Sequence, residues 1–284
     1  MRTDYKIKTF DYFDKQITAY EFGDGDIPVL ALPSFPFSGS YYLIFLKNYS
    51  KANIRLITFD IPGWIGRSEN LFDEYNRFKI DKVCSLSLRV LEEFGIDQAN
   101  IIGYSLGGMI GLRLAAENPA RFKKLVLVSS VFNGELVAKH GLTSKLGKLM
   151  LDMQAGYLIR QFILARFNPV AKLIEAEGTS QLMIREYRAL LKNLDTEVVL
   201  DTLRELFDSD YTHYLDEINS RGTKVAVVNS KDEPKMFRKQ AELIRRKLDG
   251  EHSIYLSGTH NDFILKSDSK AVADLIGFLI SDKV

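Results

Sequence analysis

Apolar residues in this chain alternate between two textures. A continuous apolar run occurs at 27–32, short runs rich in apolar residues occur at 54–59, 125–129 and 224–228, another ends at Gly103, and a further strand is predicted at 252–256. Runs of this kind are expected for strands buried on both faces. Between them lie stretches with helical spacing. In 80–94 the apolar positions 80, 83, 84, 86, 88, 90, 91 and 94 fit one helix, with Gly95 as its stop. Further helical patterns follow Ser105 as far as Asn118-Pro119, cover about 236–248, and close the chain at about 269–280. Residues 5–10 and 16–22 alternate instead, which predicts an antiparallel hairpin, and 41–49 fits a short helix. Alternating strands and helices with continuous apolar strands predict an α/β fold, a mostly parallel sheet flanked by helices. Ligands of such sheets bind beyond the carboxyl ends of the strands. The loops placed there are 33–40, 60–68, 103–107, 229–234 and 258–262.

After Val131 the pattern changes. Residues 133–216 carry helical spacings, such as Leu146, Leu149, Met150 and Met153, or Leu182, Ile184, Tyr187, Leu190 and Leu191. About five short helices and no strand are expected, which marks an inserted helical subdomain. The reading is a core formed by 1–132 and 217–284 with an insertion at 133–216.

Composition narrows the function classes. The chain has 284 residues, 46% of them hydrophobic, and a formal net charge of +1. Lys and Arg are dispersed, so there is no electrostatic footprint for nucleic acid or an anionic membrane. Cys84 is the single cysteine, so an intrachain disulfide is excluded, and its place in a helical pattern predicts a buried thiol. The N-terminus lacks an apolar signal core, and no run approaches the roughly 18 apolar residues of a membrane span. A soluble cytoplasmic protein is expected, monomeric or homodimeric. Four scattered histidines and one cysteine make no metal site, and neither metal nor organic cofactor is expected.

Gly103-Tyr104-Ser105-Leu106-Gly107 is a G-x-S-x-G pattern between a predicted strand and a predicted helix. A serine on so sharp a turn sits in strained backbone geometry. Side chains two residues either side would collide with the neighbouring strand and helix, so glycine is needed there. The new helix points free N–H groups and its positive dipole end at the serine, which favours a developing oxyanion. A serine nucleophile needs a base and a group to orient that base. His140 and His213 fall in the insertion and His252 at a strand start. His260, in Gly258-Thr259-His260-Asn261-Asp262, follows the last strand on the catalytic edge. Asp232, in Asn229-Ser-Lys-Asp-Glu-Pro, is the candidate acid, with Glu233 its nearest competitor.

The order Ser105, Asp232, His260 and the elbow around the serine resemble the α/β-hydrolase fold family, over nearly the whole chain. The similarity is to its cap-bearing esterase and lactonase branch. Asp60-Ile-Pro-Gly-Trp-Ile-Gly-Arg-Ser is similar to the family's D-x-x-G-x-G-x-S loop. Asn229-Ser-Lys-Asp232 resembles its acid-bearing G-x-x-D segment and Gly258-Thr-His260 its base-bearing segment, while 133–216 falls where the family inserts a cap. The resemblance implies an oxyanion hole from the N–H groups of Phe35 and Leu106. One departure stands out, since the family's usual His-Gly-x-Pro reads Pro33-Ser34-Phe35-Pro36 here.

The resemblance implies a serine hydrolase that cleaves an ester, thioester or lactone of a small, largely apolar substrate through an acyl-enzyme. Similar dehalogenases and epoxide hydrolases would have Asp at 105, and proline iminopeptidases Trp at 106. Carbon–carbon bond hydrolysis and perhydrolysis stay open on the same three residues, as does a non-catalytic ligand-binding protein of the same fold. Tyr157, Phe162, Phe167, Leu182, Met183 and Tyr187 of the insertion suit an apolar group, although packing of helices would use them equally. Trp64 could line the pocket or be structural.

Overall fold

β-branched and other apolar side chains dominate most of the predicted strand segments, and every one of those segments is a strand. The structure, a computed structural model, describes residues 5–42, 53–73, 75–140, 157–158, 161, 193–248, 252–256 and 269–281. Most of the insertion expected at 133–216, including Phe162, Phe167, Leu182, Met183 and Tyr187, lies outside the described residues, as do His260 and the part of the helix expected at 41–49 that follows residue 42. The strands are β1 (Tyr5–Tyr12), β2 (Lys15–Phe22), β3 (Ile27–Leu32), β4 (Ile54–Phe59), β5 (Ala99–Tyr104), β6 (Phe122–Val128), β7 (Lys224–Ser230) and β8 (His252–Leu256). The described helices are α1 (Ile80–Glu93), α2 (Leu106–Glu117), α3 (Gly134–His140), α4 (Thr196–Asp208), α5 (Thr212–Arg221), α6 (Lys235–Lys247) and α7 (Ser269–Ile280). None is long and apolar enough to cross a membrane.

One sheet holds all eight strands in the order β1-β2-β4-β3-β5-β6-β7-β8. β2 runs antiparallel to both β1 and β4, and the remaining pairs are parallel. β1 and β2 meet at a two-residue turn in which Phe13 and Asp14 both have positive φ, 49° and 58°. From β3 the chain first adds β4 on one side and then β5 on the other. The connections therefore diverge above β3 and β5, the switch point at which sheets of this kind bind ligands. α2 follows β5 directly and is apolar nearly all round, with ten of its twelve residues buried. A helix of that character belongs in the middle of a layer. Cys84 lies buried in α1, where burial pushes its thiol well above the usual range.

Residues 132–134 and 209–211, near the two ends of the stretch expected to form an insertion, meet at one place. Asn133 and Asp210 form an antiparallel bridge, Gly134 N–H donates to Ser209 O at 2.9 Å, and Tyr211 N–H donates to Phe132 O at 2.8 Å. α5 begins just beyond this root and packs on α2, so the expected boundary at 216 falls inside a helix that lies against the core. Gln240 of α6 is fully buried at the same root. Its Oε1 accepts from Asn133 N–H at 3.2 Å and its Nε2 donates to Asn133 O at 2.8 Å. Removing that amide leaves buried backbone groups without partners. Gln240→Ala is expected to cost roughly 2–3 kcal/mol, read as a lower midpoint in thermal unfolding. An unchanged midpoint would mean the clamp is dispensable.

α4 sits on the loop after β4. Trp64 is buried, and its Nε1 donates to Thr202 Oγ1 at 3.2 Å. Arg77 grips Asp201 with two nitrogens, Nε at 3.0 Å. Asp195 caps α4 by accepting from Glu197 N–H and Val198 N–H, and its own N–H donates to Gly63 O at 3.0 Å. Trp64 thus anchors a helix.

Candidate active site

Ser105 stands alone between β5 and α2, at φ 54° and ψ −114°. Non-glycine residues avoid this region, at a cost of about 1–3 kcal/mol. The surrounding backbone holds it there. Ser105 N–H donates to Val128 O at 2.9 Å, while Ser105 O accepts from Gly108 N–H at 3.0 Å and Val131 N–H at 3.1 Å. The two glycines of the motif have a measurable reason. A Cβ on Gly103 would lie 2.5 Å from Gly107 O, and one on Gly107 would lie 2.3 Å from Leu32 O and 2.7 Å from Pro33 O. The second approach shows that the loop after β3 lies directly against the first turn of α2. Leu106 is the first residue of that helix, so its N–H has no partner four residues back.

The loop carrying Phe35 is fixed from several sides. Phe37 N–H donates to Ser34 O at 2.7 Å and Ile65 N–H to Pro36 O at 2.9 Å. The Phe35 ring meets the Trp64 ring edge-on, with centroids 5.1 Å apart. Ser34, which stands where the resembling family has glycine, is buried.

Asp60 ties this loop to its neighbours. It is fully buried at the end of β4. Its Oδ1 accepts from Ser38 Oγ at 2.5 Å and Gly39 N–H at 2.9 Å, and its Oδ2 from Tyr20 Oη and Arg67 N–H, both at 2.7 Å. Burial pushes this carboxyl above its usual range, against four hydrogen bonds that pull it down. One side chain therefore joins β2, the loop after β3 and the loop after β4. The aspartate was visible in the sequence as part of a loop pattern, but its four donors were not.

The strand ends next to Ser105 are pinned level with it. Ser129, at φ 43°, donates its N–H to Val228 O at 2.8 Å, and Lys231 N–H donates to Leu256 O at 2.9 Å. Ser130 Oγ donates to Gly103 O at 3.2 Å and fills the space a Cβ on Gly108 would need. The carboxyl ends of β5 to β8 thus form one connected row.

Two acidic residues follow β7, and they differ in surroundings. Asp232 is exposed in a turn. Glu233 is only 2% exposed and accepts from Asn229 Nδ2 at 2.7 Å. Asn229 Oδ1 in turn accepts from Arg245 of α6 at 3.4 Å. His140 ends α3, His213 lies in α5, and His252 is exposed on β8 with its ring stacked on Phe278. None of the three stands on the row of strand ends beside Ser105. The structure thus brings Ser105, Leu106 and the Phe35 loop together, and it places Asp232 and Glu233 at the same sheet edge.

Comparison with known proteins agrees with this architecture. The chain is 22% identical over 236 residues to a protein named strigolactone esterase D14 from Arabidopsis thaliana, covering 82% of this chain and 84% of that one. Among solved structures it is similar to an esterase from Exiguobacterium antarcticum, with TM-score 0.73 and 17% identity over 94% of this chain and 96% of the other. It is also similar to the enol-lactonase from Burkholderia xenovorans LB400, with TM-score 0.71 and 17% identity over 94% and 98% of the two chains. Residues 27–267 match the family described as the alpha/beta hydrolase fold. With every strand from β3 to β8 inside that match, the chain belongs to the alpha/beta hydrolase fold family.

Proposed function

We propose that this hydrolase cleaves an ester, thioester or lactone of a small, largely apolar substrate through an acyl-enzyme on Ser105. The observation that carries the reading is the strained backbone of Ser105, φ 54°, held at the head of a buried helix beside the loop after β3. Strain of this kind persists at sites where it serves function. The esterase and lactonase likenesses support the reaction class.

His260, four residues past the end of β8 in the sequence, takes the Ser105 Oγ proton as Oγ attacks the carbonyl carbon. The resulting oxyanion is held by the N–H groups of Leu106 and Phe35, reinforced by the N-terminal dipole of α2. As the tetrahedral adduct collapses, His260 returns the proton to the leaving oxygen or sulfur. Water then gives a proton to His260 and attacks the acyl carbon, and as that adduct collapses the proton passes from His260 to Ser105 Oγ, which frees the serine and the acid product. A carboxylate from the Asp232-Glu233 pair orients the imidazole.

A fluorophosphonate probe tests the nucleophile. A single adduct on Ser105, located by mass spectrometry and absent from His260→Ala, is the expected result. A folded protein that takes no adduct would overturn the mechanism.

A further inference from the structure

We infer that Glu233, and not Asp232, is the carboxylate that positions the general base, an assignment that rests on the Ser105 hydrolase reading above. The two residues are adjacent, so the spacing of the motif does not separate them; their surroundings do. β7 continues its pairing one residue past Ser230, through Lys231 N–H to Leu256 O at 2.9 Å. The chain then turns at Lys231 and Asp232, both exposed. Glu233 folds back over Asn229, and their 2.7 Å hydrogen bond closes the loop.

An exposed carboxylate is screened by water and held in many orientations, so it does little to fix a partner. A buried one acts in a lower dielectric, where an ionic hydrogen bond both orients an imidazole and stabilises its protonated form. The cap position of α6 is Pro234, with no side-chain cap hydrogen bond, and the first turn of the helix has no acidic residue. The bond to Asn229 would be kept by a neutral glutamine, which accepts through the same oxygen. Asn229 is itself positioned by Arg245, so its amide presents Nδ2 to Glu233 and Oδ1 to the guanidinium. That arrangement orients a carboxylate. Glu233 stands on the same row of strand ends as Ser105, linked through Val128, Ser129 and Val228. The extra methylene of glutamate offsets the one-residue displacement from Asp232.

The test compares Glu233→Gln, Glu233→Asp, Asp232→Asn and Ser105→Ala on p-nitrophenyl butyrate, with the pH dependence of fluorophosphonate labelling measured beside it. Glu233→Gln keeps the hydrogen bond to Asn229 and is expected to stay folded. Its kcat is expected to fall on the order of 10³–10⁴-fold with KM little changed. The acid limb of its labelling rate should move to lower pH, because a protonated imidazole has lost its counter-charge. Asp232→Asn should stay within about twofold of the parent in both measurements, and Glu233→Asp should recover part of the kcat. A merely structural role for Glu233 would leave the acid limb in place. The assignment is overturned if Asp232→Asn loses the activity, or shifts the limb, and Glu233→Gln does not. Should Glu233→Gln fail to fold, Glu233→Asp decides: full activity there beside an inactive Asp232→Asn overturns the proposal, and reduced kcat with a shifted limb supports it. Activity unchanged in Ser105→Ala would instead sink the serine mechanism itself, whatever the carboxylates do.

Discussion

Ser105→Ala is expected to lower kcat for p-nitrophenyl esters by on the order of 10⁵–10⁶-fold, the loss seen when an acyl-transfer nucleophile is removed outright. KM should change little, because the hydroxyl contributes chiefly to the transition state. Stability gives a second, independent reading. Alanine keeps a Cβ in the same strained conformation, φ 54° and ψ −114°, so its unfolding midpoint should stay close to the parent's. Ser105→Gly removes the strain at a smaller entropic cost in the unfolded chain, and a net gain of roughly 1 kcal/mol is expected. An inactive Ser105→Gly that melts a few degrees higher would show that the elbow is held in place against its own backbone preference. Equal midpoints for the glycine and alanine variants would mean the turn is not strained in solution.

Asp60→Ala is expected to be the most damaging substitution for stability outside the strands. It removes the acceptor of four donors, Tyr20 Oη, Ser38 Oγ and the N–H groups of Gly39 and Arg67, of which Ser38 Oγ can turn to Ser40 Oγ at 2.8 Å. Unpaired buried donors cost about 1–3 kcal/mol each before relaxation. A total of roughly 3–5 kcal/mol, or a midpoint lower by on the order of 10 °C, is expected. Asp60→Asn is a sharper probe. Each carboxylate oxygen accepts one hydroxyl and one backbone N–H, and a hydroxyl can rotate to become an acceptor whereas an N–H cannot. Whichever oxygen the amide nitrogen replaces, it then faces an N–H, so Asp60→Asn should lose about half as much as Asp60→Ala. Because the same carboxylate fixes the loop after β3, both variants should also show reduced kcat. Scanning calorimetry and ester kinetics on the two variants check this together, and equal melting of all three proteins would refute the node.

The sequence displays features that depend on a residue's own neighbours and hides those that depend on distant ones. β3 and β4 are bounded as their largely apolar runs suggest, because burial on both faces favours apolar residues, whereas β8, at the sheet edge, exposes His252, Ser253 and Tyr255. β6 starts three residues earlier than its apolar run, at Phe122, since Lys123 and Lys124 lie where the strand end can leave them partly in solvent. β7 runs on through Asn229 and Ser230, which pair with Tyr255 and Leu256 of β8 and are buried despite being polar. The hairpin strands reach further than their alternation indicates, because the Phe13-Asp14 turn carries no glycine to announce it. In the site, the elbow is legible because its glycines are required within a five-residue span. Gly108 against Ser130, the four donors on Asp60 and the grip of Gln240 on Asn133 join residues far apart in the chain, and no local pattern records them. Asp232 and Glu233 illustrate the limit most plainly, since the path of one turn buries one and exposes the other.

Asn133 and Asp210 lie side by side, so whatever joins them starts and finishes about one strand spacing apart, roughly 5 Å. Such an arrangement sets almost no length requirement on the joining segment, and each doubling of a flexible connection costs only about 0.6 kcal/mol in closure entropy. In divergence, that doorway lets a lineage exchange or resize everything between the two residues in a single event. The sheet, the strained serine and the pinned strand ends need not be rebuilt, so the chemistry can stay constant while the shape presented to incoming molecules is replaced.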